Sequence, residues 1–203
     1  MRHRRGCIPL FLAGFLCLTG TASAQQALVP SQPTVLEFEG TLPGSSIRCV
    51  FRLQSIAPDL RAEWEEDFKL GAFTVPARVL ESSREFNRRS TLPNGREEVL
   101  KAPVLVLGQQ VFDELARGDQ VPIKIHQVAG WLRKESSTVF EVGDLRLPAL
   151  VCTDNLGRTY IFQDSREFPL LLEYRNPHYQ ERLTRVHSGR DVIFRWFKSS
   201  PGR

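Results

Sequence analysis

The chain has 203 residues, with 27 basic and 23 acidic side chains and a formal charge of +4. Such a length suits one domain with a sizeable core, and a 41% share of hydrophobic residues argues against a disordered chain. No stretch beyond residue 24 is apolar for long enough to cross a bilayer as a helix.

The N-terminus carries a basic start (Arg2, Arg4, Arg5), an apolar run from Cys7 to Leu18, and small residues ending in Ala22-Ser23-Ala24. This is the three-part pattern of a cleavable signal peptide with an A-x-A site. Leu16 before Cys17 does not suit a lipidation signal, so cleavage is expected after Ala24. The mature chain then begins at Gln25 in a periplasmic or extracellular compartment. The signal removes three arginines and no acid, and the charge falls to about +1. With export and a near-neutral chain, nucleic acid is not an expected partner.

Residues 25–34 read as a flexible N-terminal arm, 35–198 as a single β-rich domain, and 199–203 as a disordered tail. Leu36 and Phe38 alternate with Glu37 and Glu39, the period of a strand with one buried face. Ile47, Cys49, Phe51 and Leu53 alternate likewise. Leu60, Trp64 and Phe68 recur every four residues, which predicts a helix over 59–70 with Asp59 as its N-cap. Pro93-Asn94-Gly95 lies between extended stretches and predicts a hairpin turn. A second helix is predicted over 109–117, with Val111, Phe112 and Leu115 on one side and Gly118 at its C-terminal cap.

Alternation resumes at Val121, Ile123 and Ile125. Asp154-Asn155-Leu156-Gly157 predicts a hairpin between 149–153 and 158–163, and Tyr160 with Phe162 marks the second of those strands. Leu170, Leu172 and Tyr174 mark another strand, and Val192, Phe194 and Trp196 a final one. The fold class is therefore mainly β (α+β). A curved antiparallel meander sheet or half-open barrel is expected, with one or two helices packed against it.

Cys49 and Cys152 remain after cleavage, both on apolar strand faces. In an oxidising compartment they are expected to form a disulfide, the alternative being two separate buried thiols. No spacing indicates a metal site, and no cofactor motif is present. His126 falls on the polar face of its strand and reads as a solvated histidine. A hydrolase would use His178 or His187, the latter in the run His187-Ser188-Gly189-Arg190-Asp191, with carboxylates from elsewhere, since neighbours in sequence rarely form a triad. Residues 175–203 carry a charge of about +5, against −4 for residues 25–174. Arg182, Arg185, Arg190 and Arg195 are thus candidates for docking on an anionic envelope surface or an acidic protein partner.

The stretch VLVLGQQVFDELARGDQVPIKI reads as strand, helix, turn and strand. TVFEVGDLRLPALVCTDNLGRTYIFQDSREFPLLLEYR then reads as a closing meander. In this order of pieces, residues 104–185 resemble exported bacterial envelope proteins related in architecture to periplasmic lipoprotein carriers. The resemblance implies an unclosed antiparallel barrel plugged by helices, with an apolar concave site for a lipid or other apolar ligand. Phe38, Phe51, Ile125, Phe140, Tyr160, Phe162, Leu172 and Phe194 are the candidate lining. The expected function is a non-enzymatic binding or carrier protein. The alternatives are an accessory subunit docking through the basic C-terminal segment, and a hydrolase.

Overall fold

The computed structural model describes residues 26–88, 91–189 and 192–196. Twelve strands among them form one sheet. The first group is β1 (Thr34–Leu42), β2 (Ser45–Ser55), β3 (Leu60–Glu66) and β4 (Lys69–Val75), followed by helix α1 (Ala77–Ser82). The short β5 (Glu85–Phe86) and β6 (Glu97–Val99) precede helix α2 (Gln109–Ala116). Then come β7 (Gln120–Ile125), β8 (Val128–Val142), β9 (Leu145–Asp154), β10 (Thr159–Gln163), β11 (Leu171–Asn176) and β12 (Tyr179–Ser188).

The meander β7 to β12 joins the meander β1 to β4 through the antiparallel pair β12–β1. The short strands β5 and β6 lie at opposite edges, each parallel to its neighbour. The edges do not pair, so the sheet is curved and unclosed, a mainly-β half-open barrel.

Period-two sequences form these strands because each places one row of side chains on the core. In β7 the alternation is strict: Val121, Ile123 and Ile125 are buried, and Gln120, Pro122 and Lys124 are exposed. The inward rows make two apolar cores. The first gathers Leu36, Phe38, Cys49, Phe51 and Phe73 from β1, β2 and β4, with Phe140 and Leu172. The second gathers Ile125, Cys152, Tyr160, Phe162 and Tyr174, and receives Val111, Phe112 and Leu115 of α2. Gly118 ends α2 with φ +93°, as its C-terminal position requires.

Val104–Leu107, expected as a strand, forms only isolated bridges, Asn87 to Val104 and Val106 to Leu170. All four of its residues are buried, and Val106 and Leu107 belong to different cores. Leu105 bends the run at φ +70°. Its carbonyl accepts from Leu171 N–H at 2.6 Å, and Leu107 N–H donates to the Pro169 carbonyl at 3.1 Å.

The structure departs from the sequence reading at three further places in the chain. Residues 59–70 form no helix. They are β3, a turn with Asp67 at φ +49°, and the start of β4, with Leu60, Ala62 and Trp64 buried and Phe68 exposed at the turn. Asp59 instead receives Ala77 N–H at 2.8 Å and so caps α1 from a distance. Pro93-Asn94-Gly95 is no hairpin turn. The loop lies against β4, where Gly95 N–H donates to the Leu70 carbonyl and Trp64 Nε1–H to the Pro93 carbonyl. Among the described residues the last strand is β12, and 192–196 is irregular, with Trp196 N–H donating to Glu63 at 2.7 Å.

The expected Cys49–Cys152 disulfide is not formed: both side chains are buried, in separate places. Cys49 packs in the first core and Cys152 in the second, and β10, β11, β12 and β1 lie between their strands in the sheet. Burial pushes the Cys152 thiol up to about 12, so little reactive thiolate forms. Peptide mapping of the unreduced protein should therefore find no Cys49–Cys152 cross-link, and a thiol reagent should not label Cys152 until the protein is denatured. A cross-linked Cys49–Cys152 peptide would contradict this placement.

Residues of the expected arm are held before β1 begins. Leu28 N–H donates to Gln163 Oε1 at 3.0 Å, and Gln163 Nε2 donates to the Leu28 carbonyl at 2.9 Å. Gln163 is fully buried, and Leu28 packs against the first core. The expected signal peptide, residues 1–24, and the expected tail, 199–203, lie outside the described residues.

Candidate functional site

The link from β2 to β3, helix α1, the segment entering α2 and the loop before β11 enclose a cleft of about 370 Å³. Its walls are Ile56, Pro58, Leu60, Ala77, Leu80, Val106, Leu107, Phe168 and Pro169, with Val29 of the N-terminal segment. The polar side chains on its lining are Glu81, Gln109 and Glu167. Two contacts set this geometry. The Asp59 cap fixes the start of α1 to the β2–β3 link. At the other end of α1, a Cβ on Gly108 would come within 2.4 Å of the Ser83 carbonyl, so glycine lets α1 and α2 approach.

A smaller recess adjoins the cleft and shares Ile56 and Ala57 with it. Pro30–Pro33 and Leu53–Ser55 line it, and Gln54 Oε1, a buried atom, accepts no hydrogen bond from the described residues.

None of the eight predicted lining residues borders the cleft. Phe38, Phe51, Phe140 and Leu172 fill the first core, and Ile125, Tyr160 and Phe162 the second. Phe194 lies in the irregular C-terminal segment, half-buried. The cleft residues carried little signal in the sequence. Val106 and Leu107 stood in a recognised apolar run, but Leu60 and Leu80 meet them only through long-range packing.

The candidate docking arginines sit among acids. Glu173, with a fully buried side chain, pairs with Arg175 and, at 2.8 Å, with Arg182. Arg182 also lies 4.3 Å from the Phe140 ring. Glu37 pairs with Arg48 at 2.8 Å, with Arg185 at 3.9 Å and with His187 at 3.4 Å. Arg195 is exposed, and Arg190 lies outside the described residues. Cross-strand ion pairs thus offset much of the local positive charge.

The histidines stand apart. His178 is in the β11–β12 turn, and His187 is on β12 beside Glu37. Ser188 Oγ lies 3.2 Å from Thr34 Oγ1, and Asp191 lies outside the described residues. Among the described residues no group of His, Cys, Asp and Glu is arranged to hold a metal ion.

His126 occupies the β7–β8 turn at φ +53°. Near this end of the second core, Arg88 stacks 3.9 Å from the Tyr174 ring, and Tyr160 donates to Asp154 at 3.1 Å. Burial, and then the charges of Arg88 and Arg158, push the His126 imidazole down to about 4. The unfolded chain takes up this proton near pH 6.5, the folded chain only near 4. In that window the unfolded state binds more protons, so stability falls as pH drops and levels off below it. After allowance for solvent screening the loss is about 1–2 kcal/mol. His126→Asn tolerates the left-handed φ and should remove this component, read as the wild-type-minus-variant difference in urea midpoint between about pH 7 and about pH 4. An unchanged difference would rule His126 out as its source.

No protein-family model matches the chain, and no curated protein matches it with significant sequence similarity.

Proposed function

We propose that the protein is an exported envelope binding or carrier protein that holds an apolar ligand, without catalysis, in the cleft between α1 and the segment entering α2. The observation that carries this reading is the cleft itself: about 370 Å³, walled mainly by aliphatic side chains and proline, with a few polar groups. That volume and that lining suit a small-molecule site. The tripartite N-terminus supports the envelope compartment, and the unclosed curved sheet agrees with the carrier-like architecture that the resemblance implies. The ligand site of this reading is the cleft and not the row of core aromatics.

Filling the cleft tests the reading. Ala77 lines it from the exposed first turn of α1, so Ala77→Trp adds bulk there without disturbing a core. Each methylene kept out of an apolar site loses about 0.8 kcal/mol, and excluding two weakens binding about tenfold. Decanol should displace the neutral fluorophore phenylnaphthylamine from the wild type and bind about tenfold more weakly to Ala77→Trp, at an unchanged melting temperature. Equal affinity for both proteins, or no binding to the wild type, would overturn the assignment.

A further inference from the structure

We propose that the cleft selects amphiphiles with a cationic, hydrogen-bond-donating polar end, such as an alkylamine, over those with an anionic end. This rests on the reading of the cleft as an apolar ligand site and names the ligand class. The lining has no lysine, arginine or histidine, whereas two of its three polar side chains are the carboxylates Glu81 and Glu167.

Those two carboxylates are set apart from many others in the protein. Glu37, Glu65, Asp113, Glu114, Asp154 and Glu173 each hold an arginine. Glu81 and Glu167 have no ion-pair partner among the described residues. Arg166, next to Glu167, is itself held by Asp113 at 3.0 Å. An apolar chain in the cleft therefore ends among unneutralised acceptors. A cation or a strong donor completes them, and a carboxylate or phosphate meets like charge.

Three ligands that share one chain separate the effects: decylamine, decanol and decanoate, titrated against the wild type and a Glu81→Gln/Glu167→Gln variant. Both residues are exposed, so the variant is expected to fold. Decylamine should bind the wild type about tenfold more tightly than decanoate, with decanol between them. In the variant the two charged ligands should converge while decanol is unaffected. Equal affinities in the wild type, or an undiminished preference in the variant, would overturn the charge selection while decanol binding preserves the carrier reading. Failure of decanol to bind would overturn both.

Discussion

Arg175→Ala combined with Arg182→Ala is expected to lower stability by about 3–5 kcal/mol, the range for stranding a buried charge. The carboxylate of Glu173 is fully buried on β11, and its cationic partners are Arg175 on the same strand and Arg182 on the facing β12. Gln180 Nε2 also donates to it at 3.1 Å but brings no charge. The two arginines are themselves about half exposed. The pair is therefore asymmetric. Removing Glu173 frees two guanidinium groups that water can solvate, whereas removing the arginines leaves a carboxylate seated in the sheet with neither of these cations beside it. Glu173→Gln alone should cost less than the double arginine variant, and adding it to that variant should recover part of the loss. Urea denaturation of the four proteins reads this cycle directly. An arginine double variant as stable as the wild type would show that Arg175 and Arg182 do not hold the carboxylate, and would return Arg182 to the pool of free docking cations.

Gly71→Ala is expected to cost about 3 kcal/mol or more, from a different cause. A Cβ at this position of β4 would lie 2.1 Å from the Pro93 carbonyl oxygen and 2.8 Å from Trp64 Nε1. One is backbone and the other a buried ring, so neither moves without loss. The loop must lift from the strand. Lifting endangers the Trp64-to-Pro93 hydrogen bond, Gly95 N–H to the Leu70 carbonyl and Ala72 N–H to the Arg96 carbonyl. An indole N–H left buried without an acceptor adds its own penalty. The variant should show a lowered urea midpoint together with a red-shifted tryptophan emission. A stable variant with unchanged fluorescence would contradict the close approach of the loop to β4.

Local pattern made much of the fold legible. Strict alternation at Val121, Ile123 and Ile125, and again at Tyr160 and Phe162, marks strands because it has the period of a pleated ribbon with one wet face. The Gln109–Ala116 helix and its Gly118 cap were legible for the same local reason. The error at 59–70 is instructive. Leu60, Trp64 and Phe68 are four apart, and four residues return to nearly the same side of a helix and to the same side of a strand. Ala62, buried between Leu60 and Trp64, resolves the ambiguity in favour of period two, but alanine carries too little apolar weight to announce it. Asn94-Gly95 misled because its φ preference specifies a turn and not the partner of the flanking chain. The strands on either side, β5 and β6, went to opposite edges of the sheet.

By itself the sequence determined the strand-rich class, the second helix and the hairpin at 154–157, since each depends on neighbours a few residues apart. Only the tertiary structure decided which buried residues fill a core and which border a cavity. Phe38 and Phe162 are as apolar as Leu80 and Phe168, yet the first two are enclosed by packing and the last two face the cleft. It also decided that Cys49 and Cys152 remain apart and that Arg182 faces a buried glutamate. These outcomes depend on how a curved sheet brings together residues more than a hundred positions apart, and no short-range periodicity encodes such distances.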